Sequence, residues 1–282
     1  MPLTAPRAAR WIALAVLLVV IALLVWPILI EPGRVVAREI RVPIERWPDG
    51  LGPLRIAAIA DVHAGAPHMT LEALGEIVAT VNAARPDVIV LLGDYVIHGI
   101  IGGRFIEPEP IATVLGRLRA PLGVFAVTGN HDWWYDGPRV TAALEAAGIR
   151  VLEDSAALLP ARGRPVWIAG VGDLWTRPAD VLRALAAVPS DAPVIVITHN
   201  PDLFPDVPPR VLLTLAGHTH GGQVDLPLLG RLIVPSHYGA RYAIGHVRED
   251  GRDLFVTPGL GTSILPVRFR VPPEISLLTV ER

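Results

Sequence analysis

The sequence predicts an α/β domain of buried strands that alternate with helices, preceded by one membrane-spanning helix. Two observations support this prediction. Residues 11–30 form a run of about 20 residues without a charge, the length that a helix needs to cross a bilayer. From Leu54 onward, short and continuously apolar runs alternate with amphipathic helical patterns. Such runs are typical of strands that helices cover on both faces of a sheet.

The amino terminus is predicted to be an uncleaved, single-pass membrane anchor. The apolar run follows Arg10 and carries Trp11 and Trp26 near its two ends, where interfacial aromatic residues are expected. A core helix is rarely apolar on every face over this length. The run also exceeds the ~7–15 residues of a signal-peptide core. A cleaved signal peptide is the alternative, because Val35-Val36-Ala37 has the small-residue pattern of a cleavage site.

The sequence leaves open which side of the membrane holds the rest of the chain. Basic residues flank the apolar run on both sides, and Arg34, Arg38, Arg41 and Arg46 lie shortly after it. The positive-inside rule counts these residues and leans toward a cytoplasmic domain. The usual orientation of short amino-terminal anchors leans the other way.

Composition excludes several kinds of chemistry. The chain has 282 residues, of which 51% are hydrophobic, so it can supply a large core. It has no cysteine, which excludes disulfides, thiolate zinc sites and a cysteine nucleophile. It has no lysine, which excludes a Schiff base and a P-loop lysine. A net charge of -2 gives no electrostatic case for nucleic acid, and no obligate protein partner is evident.

Residues 1–32 form the predicted tail and anchor, residues 33–53 a linker, and residues 54–282 the globular domain. The linker alternates charged and apolar residues, and its piece 43–47 has the composition of an edge strand. The strands of the domain are predicted from continuous apolar runs. These runs are residues 56–60, 88–92, 124–128, 166–171, 194–198 and 212–216.

Helices are predicted between these strands. Thr70 followed by Glu72 suits a helix start, and Arg85-Pro86 suits a helix end. After Gln223 the strand-like runs have no helices between them, which indicates a second sheet. The predicted helices span residues 70–84, 110–119, 137–147 and 178–188, and the late strand-like runs span residues 232–235, 254–257 and 275–280.

Aspartate, asparagine or histidine follows the apolar run in five places. Carboxylate, amide oxygen and imidazole together suit Mn²⁺, Fe²⁺, Co²⁺ or Zn²⁺ rather than Ca²⁺. Seven candidate ligands exceed one tetrahedral site but suffice for two ions that share a bridging carboxylate and activate a hydroxide between them. The five segments are Asp61-Val62-His63, Gly93-Asp94, Gly129-Asn130-His131-Asp132, Thr198-His199-Asn200 and Gly217-His218-Thr219-His220-Gly221-Gly222-Gln223.

In order and spacing, this set resembles the calcineurin-like metallophosphoesterase superfamily over about residues 54–225. Three further features resemble the membrane-anchored bacterial branch of that superfamily. These are the Gly221-Gly222-Gln223 continuation, the apolar amino terminus, and Pro258-Gly259-Leu260-Gly261 with Pro266-Val267-Arg268 near the end. The resemblance implies a four-layer α-β-β-α sandwich of two mixed β-sheets.

The resemblance also implies a role for each polar residue of the set. Asp94 would bridge the two ions. His131 would bind no metal, but would stabilise the phosphate charge and protonate the leaving group. The first ion would be bound by Asp61, His63 and His220, and the second by Asn130, His199 and His218.

One position departs from the protein phosphatases of the superfamily. They carry an acidic residue shortly after the bridging aspartate, which orients the catalytic histidine, whereas this chain has Ile97 there. The difference argues against a protein serine/threonine phosphatase and leaves Asp132 or a backbone carbonyl to orient His131. For substrate contacts the candidates are Trp133, which could stack on a base or an acyl chain, and Arg268, which could bind phosphate.

Together these features predict a membrane-anchored phosphohydrolase with two divalent ions, most favourably Mn²⁺, that cleaves a phosphodiester or pyrophosphate bond. The resemblance implies one substrate, UDP-2,3-diacylglucosamine of lipid A biosynthesis, which requires a cytoplasmic domain. An external domain would favour another phosphodiester of the cell envelope. The alternative of another class is a non-catalytic scaffold on the same fold, but such proteins lose ligands and none is missing. A nuclease lacks the basic surface it would need.

Overall fold

A computed structural model describes residues 7–159 and 165–282 of the chain. The first six residues of the predicted tail lie outside this description. Helix α1 (Arg7–Val25) continues through two irregular turns, Trp26–Ile30 and Glu31–Gly33. The described residues contain one helical segment, Arg7–Gly33, that is long enough to cross a membrane and includes an 18-residue stretch with a mean hydropathy of 3.1. An amino-terminal signal sequence would meet the same two criteria.

Twelve strands form two six-stranded mixed sheets in the described part of the chain. The first sheet has the order β1-β12-β2-β3-β4-β5 and the second has the order β10-β11-β9-β8-β7-β6. Strands β2 to β5 are parallel, as are β7, β8, β9 and β11. The strands are β1 (Val36–Pro43), β2 (Leu54–Ile59), β3 (Val88–Leu92), β4 (Val124–Val127), β5 (Arg150–Val151), β6 (Ser155–Leu159), β7 (Val166–Val171), β8 (Val194–Thr198), β9 (Leu213–Ala216), β10 (Gly245–Glu249), β11 (Arg252–Val256) and β12 (Glu274–Glu281).

The two sheets pack face to face, and helices cover their outer faces. Between the sheets, side chains such as Ile56 and Val90 pack with Ile195 and Leu213 in one apolar cluster. The outer face of the first sheet is covered by α2, α3 and α4, and that of the second by α5. The predicted four-layer α-β-β-α sandwich is confirmed. The helices are α2 (Leu71–Ala84), α3 (Pro108–Leu115), α4 (Asn130–Ala146) and α5 (Val181–Ala184).

Helix boundaries follow local chemistry. Thr70 caps α2 by accepting the amide hydrogen of Ala73 at 3.1 Å, as its position predicted. Helix α4 begins at Asn130 rather than at residue 137, because its first turn continues directly from β4. Asp136 interrupts it with φ -163° and ψ 82° and caps the second helical segment, because its Oδ1 accepts the amide hydrogen of Arg139 at 3.1 Å.

The structure differs from the predicted linker. Within residues 33–53, β1 pairs in parallel with β12 along its whole length, and Ile44 and Trp47 are buried in the core between the sheets. The edge strand therefore lies at 36–43 rather than at 43–47. Its alternating charges belong to a strand whose exposed edge is kept polar, which discourages pairing with other chains.

The predicted second sheet is present, but the late strands do not form it by themselves. Strand β12 joins the first sheet, and β10 and β11 extend the second. The second sheet begins at β6. Residues 232–235 form no strand. Within this run, Ile233 is 81% exposed.

The place of β1 predicts where the anchor can be removed. The folded part of the chain already includes Glu31, which is buried and accepts a hydrogen bond from the Trp26 indole at 2.6 Å. A fragment that begins at Glu31 keeps β1, so it should be soluble, bind metal and cleave a small soluble diester. A fragment that begins at Arg41 loses most of β1 and exposes β12, so its thermal unfolding midpoint should be lower by about 5 °C or more. Equal midpoints would show that β1 adds no stability.

Candidate active site

The predicted polar residues come together at one rim, where strands of both sheets end. Each follows the carboxyl end of a parallel strand, which is where ligands bind in open α/β sheets. Loops after β2, β3 and β4 come from the first sheet, and loops after β8 and β9 from the second. The eight residues are Asp61, His63, Asp94, Asn130, His131, His199, His218 and His220, of which all but His131 are buried.

Several of these residues have left-handed backbone conformations, which are uncommon for residues other than glycine. Strain of this kind persists where the surrounding structure forces it, often at functional sites. The positive φ angles turn the chain sharply after each strand, so that alternate side chains face the same region of the rim. The residues with positive φ are Asp61 (51°), His63 (44°), Asp94 (59°), His218 (70°) and His220 (51°).

Three side chains from the first and last of these loops form one cluster. The Nε2 atoms of His63 and His220 are 3.2 Å apart, and His220 Nε2 is 3.6 Å from Asp61 Oδ1. Both oxygens of Asp61 accept the amide hydrogen of His218 at 3.1 Å, which fixes the carboxylate against the histidine loop. The ligand atoms of Asp61, His63 and His220 lie close enough together to hold one metal ion.

A second cluster surrounds His199. Its Nε2 lies 3.1 Å from Asn130 Oδ1, 3.1 Å from His218 Nδ1 and 3.2 Å from Asp94 Oδ2. The other ring nitrogen, Nδ1, lies 2.7 Å from the Leu92 carbonyl oxygen. That contact places the proton on Nδ1 and leaves Nε2 as the ligand atom.

Asp94 lies between the clusters. Its Oδ2 is 3.5 Å from His63 Nε2 in the first cluster and 3.2 Å from His199 Nε2 in the second. Its Oδ1 accepts the amide hydrogen of His131 at 2.9 Å. The Asp94 carboxylate therefore lies close to candidate ligand atoms of both clusters.

The spacing of the nitrogen atoms fits metal ions. Nitrogen ligands that lie ~2.0–2.1 Å from one ion are separated from each other by about 3.0–3.4 Å. The pair His63 and His220, at 3.2 Å, and the pair His199 and His218, at 3.1 Å, have this separation. Imidazole nitrogens that face each other can share only one proton, whereas a cation between them is bound by both lone pairs.

The electrostatics of the site favour the neutral imidazole at three of the four candidate ligand histidines. Burial lowers the pKa of His63 and of His218 to about 3, and lowers that of His220 well below its ordinary value. Neutral imidazole is the form that binds metal. Burial acts in the same direction on His199, but the charge of Asp94 outweighs it and raises the pKa of His199 to about 10. A cation bound beside Asp94 would displace the proton that this raised pKa places on His199.

Asp132 has a different role from the one proposed for it. Its buried carboxylate accepts four backbone amide hydrogens. It thereby ties the loop after β3 to the start of α4. An acidic third residue of a helix is typical of a capping role, and this position was readable from the sequence. The donors are the amides of Gly129 (2.9 Å), Asp94 (2.9 Å), Tyr95 (2.9 Å) and Val96 (3.3 Å).

His131 stands at the mouth of the site. Its ring packs edge-on against the His63 ring at 4.8 Å between centroids and against the Trp134 ring at 4.7 Å. It borders a cavity of ≈ 280 Å³ that also reaches Asp94 and His218. Burial lowers the pKa of His131. The side chain is therefore placed between the clusters and the space where a substrate would lie.

The two predicted substrate contacts lie elsewhere. Trp133 donates its indole hydrogen to Thr128 Oγ1 at 2.7 Å and packs under the loop, beneath Arg177. The exposed aromatic wall of the cavity is formed instead by Trp134 and by Trp175. Trp175 follows β7, a strand that carries no predicted ligand, so no pattern in the sequence singled it out.

The prediction of Arg268 as a phosphate ligand is contradicted by its burial. The guanidinium is fully buried and donates to backbone carbonyls of Pro258, Gly259, Gly261 and Val271. These bonds hold the 258–261 loop against the first cluster. A Cβ atom at Gly259 would lie 2.6 Å from Asp61 Oδ2, so the loop must have glycine at that position.

Comparison with known families identifies the fold. A family model of calcineurin-like phosphoesterases matches residues 54–222. The chain is a calcineurin-like phosphoesterase. It is therefore a phosphoesterase hydrolase with side chains that can bind metal, and its relatives include transmembrane proteins with a metallophosphoesterase domain.

Among its relatives is the uncharacterized metallophosphoesterase YkuE of Bacillus subtilis, which is 32% identical over 89% of this chain and 87% of that protein. Phosphodiesterase YaeI of Escherichia coli is 30% identical over 88% of this chain and 89% of its own length. The UDP-2,3-diacylglucosamine pyrophosphatase LpxG of Chlamydia trachomatis is 25% identical over 90% of this chain and 92% of its own.

Proposed function

We propose that this calcineurin-like phosphoesterase is a membrane-anchored hydrolase that uses two divalent ions to cleave a phosphodiester or pyrophosphate bond. The observation that carries the proposal is the position of Asp94, whose Oδ2 lies within 3.5 Å of a histidine nitrogen in each cluster. A shared carboxylate is the feature that distinguishes a two-ion site from two separate sites. Mn²⁺ is the favoured ion for this mixture of oxygen and nitrogen ligands, with Fe²⁺, Zn²⁺ and Co²⁺ as alternatives.

The ligand assignment follows the two clusters. Asp94 contributes to both ions, and its bond from the His131 amide keeps the carboxylate in place. Asn130 contributes an oxygen, and its neighbour His131 remains outside the set although its ring lies within reach of Asp94 and His63. We assign Asp61, His63 and His220 to the first ion, and Asn130, His199 and His218 to the second.

When bound, such ions would polarise the phosphoryl oxygens and lower the pKa of an attacking water. The protein supplies the remaining functions. His131 borders the cavity and can donate a hydrogen bond or proton to the leaving oxygen. Ile97, where protein phosphatases carry an acid, is buried and apolar. It cannot orient His131 through a hydrogen bond, which supports a substrate other than a phosphoprotein.

The walls of the cavity favour a substrate with an apolar part near its phosphate. Trp134 and Trp175 line one side, and Ile233, Val234 and Ile264 line another. A lipid-linked phosphoester fits this lining better than a free nucleotide. UDP-2,3-diacylglucosamine, the substrate in the name of the LpxG relative, is the substrate that we propose, with the domain on the cytoplasmic face of a bacterial inner membrane. Another cell-envelope phosphodiester is the second candidate, since YaeI is named a phosphodiesterase.

A substrate panel tests this proposal. Full-length protein in detergent with Mn²⁺ should hydrolyse bis-p-nitrophenyl phosphate at least about tenfold faster than p-nitrophenyl phosphate, and should cleave UDP-2,3-diacylglucosamine. Chelation should abolish both activities and Mn²⁺ should restore them. Preference for the monoester would contradict the assignment of bond type. Failure to cleave any of the three, with metal bound, would support a scaffold instead.

A further inference from the structure

Two loops near the metal site expose large apolar side chains to solvent. The first, residues 226–233, is closed by a pair of backbone hydrogen bonds between Leu226 and Gly230 at 2.8 and 2.9 Å. The second is residues 263–267. We call their exposed side chains the apolar rim. Single exposed apolar residues are common on proteins, but a contiguous group of this size marks a site of interaction. The rim consists of Leu228, Leu229, Leu232, Ile233, Ile264 and Leu265.

The backbone presents two of these side chains at a conformational cost. Leu228 has φ 69° at the tip of the first loop, and Ile264 has φ 64° in the second. Glycine or asparagine normally occupies such left-handed positions, and a β-branched residue is a genuine outlier there. Folding alone therefore does not account for isoleucine at 264, which is 77% exposed.

The rim is continuous with the end of the anchor. The Arg268 amide, directly after the second loop, donates to the Pro27 carbonyl at 2.8 Å, in the turn that ends the apolar helix. The Gln223 side chain accepts the Ser263 amide hydrogen at 2.7 Å and donates to the Leu265 carbonyl at 3.3 Å. The anchor, the second loop and the segment after the ligand histidines thus form one hydrogen-bonded unit.

The same loops form the outer wall of the site. Ile233, Ser263 and Ile264 line the cavity that contains His131, and they also line an adjoining groove of ≈ 350 Å³ that runs outward past Leu232 and Leu265. An apolar path therefore leads from the exposed rim to the candidate metal ligands.

We propose that the apolar rim inserts into the surface of the bilayer beside the end of the anchor, so that the mouth of the metal site opens onto the membrane. The occupant is lipid, because the rim continues from a helix that exposes large apolar side chains from Trp11 to Leu24, and these already require lipid. Insertion of the rim does not depend on the protein being an enzyme. The consequence for catalysis does rest on the function proposed above: a phospholipid-like substrate would reach the site without leaving the bilayer.

The absence of cysteine allows a direct test. Single substitutions Leu229→Cys and Ile264→Cys in the full chain, labelled with an environment-sensitive dye, would be reconstituted in vesicles of phosphatidylethanolamine and phosphatidylglycerol. Leu182→Cys is the matched control, since Leu182 lies on α5 and is 77% exposed, as is Ile264. Spin-labelled lipids should quench the dye at 229 and 264 at least about threefold more than at 182. Equal quenching at the three positions would overturn the proposal, as would apolar emission that lipid quenchers do not reach.

A charge substitution tests the consequence for turnover. Leu228→Glu with Leu229→Glu alters the rim without changing the cavity lining, which contains neither residue. Hydrolysis of a lipid phosphodiester in vesicles should fall about fivefold or more, and hydrolysis of soluble bis-p-nitrophenyl phosphate should not change. An equal loss on both substrates would contradict a membrane role. If the wild type cleaves no diester but the dyes are quenched by lipid, the proposed function fails and the insertion stands.

Discussion

Replacing Asp94 by alanine should abolish measurable hydrolysis, with a fall in kcat on the order of 10³-fold or more. Several kcal/mol of charge stabilisation depend on a shared ligand, and each 1.36 kcal/mol corresponds to a factor of ten. The change removes the one oxygen that lies near both clusters and the acceptor of the His131 amide hydrogen. Two cations would then face each other with less negative charge between them. The measurement is kcat with bis-p-nitrophenyl phosphate at saturating Mn²⁺.

Asp94→Asn is the matched variant for this experiment. It keeps the shape of the side chain and an oxygen to accept the His131 amide, so it removes charge alone. We expect it to fold with an unchanged unfolding midpoint and still to lose most activity and at least part of its metal. If Asp94→Asn retained nearly full activity, the carboxylate would not bridge two ions, and Asp94 would act mainly by holding the loop.

His131→Ala should keep both metal ions and lose rate. A positioned acid and a donor to the developing charge each contribute on the order of 10²–10⁴-fold. The His131 ring is only partly buried and borders the cavity. Loss of the ring should leave the two histidine pairs in place, because neither includes it. The readouts are kcat for the diester and metal content after desalting.

Geometry alone does not decide between this role and that of a ligand. The ligand atoms of His63, Asp94 and His131 are close enough together to hold an ion, so metal content is the discriminating measurement. His237→Ala provides the control for loss of an imidazole, since that side chain is 80% exposed. If His131→Ala loses metal in proportion to its activity, His131 is a ligand and its assignment as acid is wrong.

The parts of the fold that follow local rules were predictable from the sequence. Continuous apolar runs located β3, β7 and β8, and the rule that ligands follow parallel strands placed the polar residues at one rim. The pairing of β1 with β12 joins Val36 to Glu274, far apart in sequence, and no local pattern contains such a contact. The charged edge strand therefore resembled a linker.

The errors at the site have a common physical cause, because residue type does not specify burial. Arg268 has the side chain of a phosphate ligand, but five carbonyl contacts satisfy its donors inside the protein. Residues 232–235 have the composition of a strand, but they form none, and Leu232 and Ile233 are exposed at the rim. Trp175 reaches the site only because the loop after β7 packs its ring against His218 at 4.3 Å.

The metal content of active protein tests the central claim most directly. Full-length protein would be stripped with chelator, titrated with Mn²⁺, desalted and analysed for manganese per chain and for diester hydrolysis in the same samples. The account predicts a plateau at about two Mn²⁺ per chain, with most of the activity appearing as the second ion binds. Full activity at one ion per chain or fewer would contradict it, because Asp94 would then have no second ion to bridge.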